Sequence, residues 1–173
     1  IRSGAGRVNR AAFAIHAAVH ARRSDVIASV HSHSPYGKAW SMLGQLLSPL
    51  SQDSCAFYQD HAVHHDFSGL VLDAEEGFTI SDSLGQNKAV ILQNHGLLTV
   101  GGSVGAAVWW FLAMEKACEC EIHARSVRSP IVLSSEVAKV TREQIGTEYT
   151  GRFIFSALRA EYLAEHGTVE PGR

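Results

Sequence analysis

The feature that most constrains this chain is a pair of histidines, His31 and His33, at the end of a β-branched stretch. Residues 26–30 read Val-Ile-Ala-Ser-Val, which is typical of a strand. Residues two apart in an extended chain point to the same side, so the two imidazoles are expected to face one point in space. A second apolar run, 88–93, carries His95 just past its end. The pattern therefore allows three imidazoles to converge where a buried sheet meets solvent.

Three neutral nitrogen ligands are a common way for proteins to hold a catalytic metal. Catalytic zinc keeps an open fourth position, whereas structural zinc is usually closed by four ligands, often thiolates. No fourth ligand is evident near these histidines in the sequence. Isolated histidines, hydrogen-bonded to the backbone at strand ends, would give the same pattern. The residues alone leave both a metal centre and separate structural histidines open.

A second dense group of histidines, His61, His64 and His65, could also be interpreted as a metal site. The segment has the composition of a loop and offers no rigid element to fix a coordination geometry. We therefore predict a solvated loop that lines the mouth of a pocket.

Length and composition describe one soluble domain. The chain has 173 residues, 46% of them hydrophobic and 18% charged, which is enough for a proper core. A formal net charge of -2 gives no electrostatic case for binding nucleic acid or an anionic membrane. No apolar run approaches the roughly 20 residues that span a bilayer, and no signal peptide is evident. Three cysteines without a paired framework favour a reducing, cytoplasmic location.

Alternating strand and helix patterns without an internal repeat argue for a layered α/β domain. Capping residues and hydrophobic periodicity place the elements. Helices are predicted over 10–22, from 35 to a stop at Gly44, and over 75–84, 103–124, 135–146 and 152–166. Strands are predicted over 26–30, 69–72, 88–93 and 97–100.

Four segments of the sequence resemble the class II aldolase/adducin family. They are His-Ser-His-Ser-Pro-Tyr-Gly at 31–37, Gln-Asp-Ser-Cys-Ala-Phe-Tyr at 52–58, Glu-Glu-Gly at 75–77, and Val-Ile-Leu-Gln-Asn-His-Gly-Leu-Leu-Thr-Val-Gly at 90–101. The resemblance runs from about residue 9 to about residue 124. It implies a three-layer α/β/α sandwich with a central mixed or antiparallel sheet, in one domain covering 1–173.

The resemblance also implies a metal centre and an assembly. His31, His33 and His95 fall on the positions that hold Zn²⁺ or another divalent metal in the family. Family members are commonly homotetramers with active sites at subunit interfaces, so a homo-oligomer with a small-molecule substrate is expected. An earlier family segment with a Gly-Asn phosphate-binding loop has no match here, and we interpret the chain as the later part of the domain.

The reaction implied by the resemblance is aldolase-type carbon–carbon cleavage of a small hydroxy-carbonyl compound or sugar phosphate. In that reaction a zinc-bound enediolate is stabilised after the bond breaks. The family's catalytic Glu falls here on Ala12, which cannot transfer a proton. This departure is consistent with an adducin-like branch. Asp53 is our first candidate for a replacement acid/base, followed by Lys38 and Tyr58.

Two alternatives to aldol cleavage remain open. Decarboxylation of a β-keto acid needs no base to start, because loss of CO₂ produces the same enolate, and the missing Glu makes it attractive. A non-catalytic, adducin-like interaction module is compatible with Ala12, although the intact histidine set argues against it. A zinc-dependent hydrolase or hydratase is a more distant option.

Overall fold

A computed structural model describes residues 8–71 and 73–168 of the chain as an α/β fold. The elements in chain order are α1 (Arg10–Arg22), β1 (Ala28–Ser32), α2 (Pro35–Ser41), α3 (Gln52–Cys55), β2 (His61–His64), α4 (Ala74–Leu84), β3 (Ala89–Leu92), β4 (Gly96–Gly101), α5 (Val104–Val127), α6 (Ser135–Ile145) and α7 (Glu148–His166). Within the described ranges, no helix combines the length and the apolar character needed to cross a membrane.

The four strands form one mixed sheet in the order β1-β4-β3-β2. Strand β4 is antiparallel to both β1 and β3, and β2 is parallel to β3. The register pairs Ser32 with Leu97 and Leu92 with Gly96. The last residues of β1 and β3 therefore lie at the same end of the sheet, beside the first residues of β4.

Helices cover both faces of the sheet, which confirms the predicted three-layer sandwich. Successive residues of β3 alternate between the two cores: Ile91 packs in the cluster that contains Trp110 of α5, and Val90 packs in the cluster that contains Ile15 of α1. Helices α1 and α4 pack against each other on one face, and α2 and α5 pack together on the other. Helix α7 packs on α5, and α3 contacts both α5 and α6.

The helix boundaries follow the capping residues. Asn9 accepts hydrogen bonds from the backbone N–H groups of Ala11 and Ala12 at 3.1 and 3.2 Å, and α1 has the predicted bounds. Helix α7 begins at Glu148, earlier than predicted, because Thr147 caps it by accepting a hydrogen bond from the Thr150 N–H at 3.2 Å.

The segment around His61 differs from the prediction, because it is the strand β2 rather than a solvated loop. His61 and His64 are both buried. The His61 Nδ1–H donates to the Phe57 carbonyl at 2.6 Å, and its Nε2 accepts from the Leu47 N–H at 2.9 Å. The Nδ1 of His64 is hydrogen-bonded to Ser83 Oγ at 2.9 Å. Leu47 and Ser83, which are 14 and 19 residues away in the chain, each satisfy one ring nitrogen, so both imidazoles can be buried in a strand.

The predicted strand at 69–72 is also wrong for the residues that the structure describes. Residues 69–71 are irregular, and Leu72 lies outside the described residues. Gly69 has a φ of 112°, which glycine tolerates but which interrupts an extended strand.

Candidate metal centre

The sheet brings His31, His33 and His95 together at one end. One potential ligand atom from each histidine lies within 4.8 Å of those of the other two. The ring centroids are 5.2 Å apart for His31 and His33, 4.7 Å for His31 and His95, and 4.6 Å for His33 and His95. Among the described residues, this is the one group of three or more His, Cys, Asp or Glu side chains spaced to hold a metal.

A tight turn between β3 and β4 delivers His95 to this group. Asn94 has a φ of 59°, a left-handed conformation that asparagine adopts more readily than most residues. The His95 N–H donates to the Leu92 carbonyl at 3.0 Å and closes the turn. Gly96 then passes so close to β1 that a Cβ atom there would lie 2.6 Å from the Ser32 carbonyl oxygen. The missing side chain of Gly96 allows this close approach of the two chain segments.

The backbone of β4 orients the His31 ring. The His31 Nδ1–H donates to the Leu97 carbonyl at 2.8 Å, which leaves the Nε2 lone pair of His31 available to a metal. A hydrogen bond from the second ring nitrogen commonly fixes the tautomer of metal-ligating histidines. The same strand pairing that aligns β1 with β4 therefore also selects the ligating nitrogen.

Burial lowers the pKa of two of the three imidazoles, those of His31 and His95. Desolvation lowers the pKa of His31 to about 4, with smaller contributions from the neighbouring His95 and His33 and an opposing one from the Leu97 hydrogen bond. The pKa of His95 is also lowered, first by burial and then by His33. Metal binding requires neutral imidazole, so little or no proton release opposes it at these two positions.

The donor set fits a divalent metal such as zinc. Three imidazole nitrogen atoms at two strand ends give the three protein ligands typical of a catalytic site. Within the described part of the chain, the group contains no fourth ligand. A position opposite the histidines would therefore stay open to water or to a substrate.

The histidines open into a cleft of about 470 Å³ whose lining is mostly apolar. The Phe67 ring lies 6.3 Å from that of His95. The half-buried Ala12, the position to which the family resemblance assigns a catalytic Glu, lines the same cleft as the three histidines. The remaining lining side chains are apolar or uncharged apart from one lysine: Asn9, Ala11, Ile15, Lys38, Gly69, Leu70, Val71 and Asn94.

The structure places Asp53 away from this cleft. It is an exposed residue of α3, and it borders a small pocket with Trp109 and Ile145 on the α5 side of the sheet. Lys38, the next candidate, does line the cleft, whereas Tyr58 does not. The role of Asp53 in proton transfer stays a prediction, and its position in the single chain adds no support to it.

One residue that supports the centre escaped the sequence interpretation. Glu115 of α5 accepts three hydrogen bonds from the segment directly after His33. In the sequence, Phe111, Glu115 and Cys118 recur at helical spacing, so that Glu115 places a carboxylate on an otherwise apolar helix face. This was the sequence signal that could have identified it.

Comparison with known proteins gives a family and several relatives. The family described as "Class II Aldolase and Adducin N-terminal domain" matches residues 2–122. The chain is 42% identical over 171 residues to "Decarboxylase NovR" of Streptomyces niveus, a match that covers 97% of this chain and 63% of the relative. It is 40% identical over 163 residues to "4-hydroxy-3-prenylphenylpyruvate oxygenase/4-hydroxy-3-prenylbenzoate synthase" of Streptomyces roseochromogenus subsp. oscitans, covering 94% of this chain and 59% of the relative.

A solved structure gives the same architecture. "L-fuculose 1-phosphate aldolase from Glaciozyma antarctica PI12" matches with a TM-score of 0.86 and 40% identity, over 95% of this chain and 65% of that one. The chain thus spans about three fifths of the length of the two curated relatives.

Proposed function

The chain belongs to the class II aldolase and adducin family, and we propose that it is a metal-dependent carbon–carbon lyase with His31, His33 and His95 as ligands. One observation carries the proposal. Three imidazoles, two of them with a lowered pKa, converge at the end of a sheet and face a cleft large enough for a small organic substrate.

A divalent metal held by these ligands would supply Lewis-acid stabilisation of the negative charge that develops on a substrate carbonyl oxygen as the adjacent bond breaks. The chain's own residues provide the rest of the chemistry. Leu97 holds the His31 ring in one tautomer through the 2.8 Å hydrogen bond. The side chains of Ile15 and Phe67 give the cleft an apolar wall against which the body of a substrate can pack. Lys38 offers a positive charge to an anionic part of the substrate.

The lining of the cleft favours decarboxylation over aldol cleavage. Ala12 stands where an acid/base carboxylate would be needed, and the described lining residues include no carboxylate. In a β-keto acid the bond to the carboxylate breaks, CO₂ leaves, and the electron pair moves onto the ketone to form an enolate. That enolate then takes a proton from solvent, so no side chain has to remove a proton first.

The names of two relatives support a keto-acid substrate with an apolar body. One is called a decarboxylase, and the other is named for a prenylated phenylpyruvate, which is an aromatic 2-keto acid. The names therefore support loss of CO₂ and an aromatic body, whereas the β position of the ketone rests on the enolate chemistry alone. Such a molecule matches a cleft lined by Ile15, Phe67 and Leu70 with Lys38 beside them. The name of the second relative also includes an oxygenase activity, so Fe²⁺ belongs in the test beside Zn²⁺.

The test compares two substrate classes on the protein loaded with Zn²⁺, Mn²⁺ or Fe²⁺. An aromatic β-keto acid and an aromatic 2-keto acid are assayed for CO₂ release, and a ketose 1-phosphate is assayed for aldehyde release. We expect metal-dependent CO₂ release from the β-keto acid in the absence of O₂, and we expect His95→Ala to abolish it. CO₂ release from the 2-keto acid alone, and only with O₂, would refute the lyase reaction. Aldehyde release without CO₂ would instead establish the aldolase reaction. No turnover of any substrate by protein that binds metal would refute the lyase proposal and favour the adducin-like interaction module.

We further propose a single domain of this family type that acts as a cytoplasmic homo-oligomer, with a tetramer as the expected form. Exposed aromatic side chains on α7 support the oligomer: Tyr149, Phe153 and Tyr162 are 70, 64 and 51% exposed. Apolar surface of this kind is frequently covered in assemblies. Sedimentation velocity of the purified protein tests this, and a monomer at micromolar concentration would contradict it.

A further inference from the structure

The carboxylate of Glu115 binds the first turn of α2, immediately after the ligand His33. Its Oε2 accepts a hydrogen bond from the Ser34 hydroxyl at 2.5 Å and another from the Gly37 N–H at 2.6 Å. Its Oε1 accepts from the Tyr36 N–H at 2.8 Å. Glu115 belongs to α5, so these contacts join segments about eighty residues apart in the chain.

The Glu115 carboxylate acts as the N-terminal cap of helix α2. Ser34 is the N-cap residue of α2, but its side chain makes no capping bond to the helix backbone. Glu115 accepts from two of the first N–H groups instead, and its negative charge lies at the positive end of the helix. Hydrogen bonds to an ionised carboxylate are stronger than neutral ones. The start of α2 is therefore fixed to α5 rather than capped from within.

The same contact reaches two of the three histidines. His33 directly precedes Ser34, so fixing Ser34 fixes the corner that carries the His33 ring. At Gly37 an added Cβ would lie 2.8 Å from Glu115 Oε2 and would collide with the Leu97 side chain. Leu97 is the residue whose carbonyl orients His31. The first turn of α2 is thus packed between Glu115 and the strand that sets the His31 tautomer.

From these contacts we infer that Glu115 is a positioning residue for the metal centre: it holds the His33 corner and the Leu97 backbone at the separation that three-ligand binding requires. The inference rests on the proposed metal site. Mutating a group that orients metal ligands typically weakens metal binding by about 10- to 100-fold.

The experiment measures Co²⁺ affinity and the visible absorption of bound Co²⁺, which reports coordination geometry, in the parent and in Glu115→Gln. The amide keeps the size of the side chain but one of its two terminal atoms can no longer accept hydrogen bonds. We expect Co²⁺ to bind about 10-fold more weakly or worse, with an altered spectrum. Ser34→Ala should weaken binding in the same direction, and the double variant should lose less than the two single losses combined, because both changes break one unit.

Glu121→Gln is the matched control on the same helix. Glu121 is a buried carboxylate that accepts from the Ser48 N–H at 2.9 Å and pairs with Arg125, away from the histidines. This variant should lower the thermal unfolding temperature while leaving the Co²⁺ affinity and spectrum unchanged. If both Glu→Gln variants weaken Co²⁺ binding in proportion to their loss of stability, or if Glu115→Gln binds like the parent, the positioning role is overturned. A parent that binds no Co²⁺ would overturn the metal site itself, and this inference with it.

Discussion

The close approach of Gly96 to β1 allows a quantitative test of how the histidines are brought together. In Gly96→Ala the new Cβ would lie 2.6 Å from the Ser32 carbonyl oxygen and 3.5 Å from the His33 Cα, whereas real Cβ atoms essentially never lie closer than 3.0 Å to another heavy atom. The two segments must therefore separate by at least 0.4 Å, the difference between 3.0 and 2.6 Å. Functional constellations tolerate displacements of only about 0.5 Å.

Two consequences of Gly96→Ala are expected. Forcing a methyl group into a close contact typically costs about 1–3 kcal/mol of unfolding free energy. Metal affinity should fall by about 10-fold or more, since His33 and His95 sit on the two segments that are pushed apart. Urea unfolding of the metal-free protein and Zn²⁺ titration with a competing chelator measure the two effects.

Gly102→Ala, at the other end of β4, is the matched control. A Cβ at Gly102 would meet its nearest neighbours at 3.5 Å, an ordinary contact, so neither stability nor metal affinity should change appreciably. Equal Zn²⁺ affinity in Gly96→Ala and Gly102→Ala would contradict this prediction, because the separation of the strands would then have no effect on the metal centre.

Three further predictions concern other parts of the molecule. Burial lowers the pKa of His61 below its ordinary 6.5, so as the pH falls through 6.5 the unfolded state binds more protons than the folded state and the unfolding free energy drops. In His61→Gln, the unfolding free energy measured with urea should decline less steeply between about pH 7 and 5, and a slope equal to the parent's would contradict this. Lys88 donates to the Gly146 carbonyl at 2.6 Å and pairs with Asp60 at 3.3 Å, so Lys88→Met should lower the unfolding free energy measured with denaturant by about 1–3 kcal/mol. The Zn²⁺ affinity should not change, because the histidines lie at the far end of the sheet. Ala12→Glu should introduce aldehyde release from a ketose 1-phosphate, since general acid–base catalysis contributes about 100-fold or more to a reaction rate. Ala17→Glu, outside the cleft lining, should not, and equal rates in the two variants would count against the role assigned to position 12.

The sequence was sufficient for the parts of the site that depend on local pattern. The two-residue spacing of His31 and His33 on a strand, and the position of His95 past the next apolar run, predicted that the imidazoles could converge. The structure brings their ligand atoms within 4.8 Å. Caps such as Asn9 likewise fixed helix starts, because capping is a contact between neighbours in the chain.

The parts that escaped prediction depend on contacts between distant residues. His61 and His64 are polar residues, so the sequence did not indicate that they lie in a buried strand. Their ring nitrogens are satisfied by Leu47 and Ser83, which are 14 and 19 residues away in the chain. In the sequence, Glu115 resembles an ordinary helix residue, and only the packing of α5 against α2 shows that it accepts hydrogen bonds from the start of α2. The apolar lining near Phe67 came from an irregular segment without a periodic signal. Asp53 lies on the α5 side of the sheet, and its role in proton transfer stays a prediction.

The most direct test of the account is metal content by elemental analysis after equilibration with Zn²⁺ and removal of excess metal. The parent should retain about one Zn²⁺ per chain, as a three-histidine site would. His31→Ala, His33→Ala and His95→Ala should each lose it. His65→Ala, which removes an exposed histidine bonded to Gln93, should keep it. A parent that retains no metal, or three ligand variants that retain as much as the parent, would contradict the assignment of the centre.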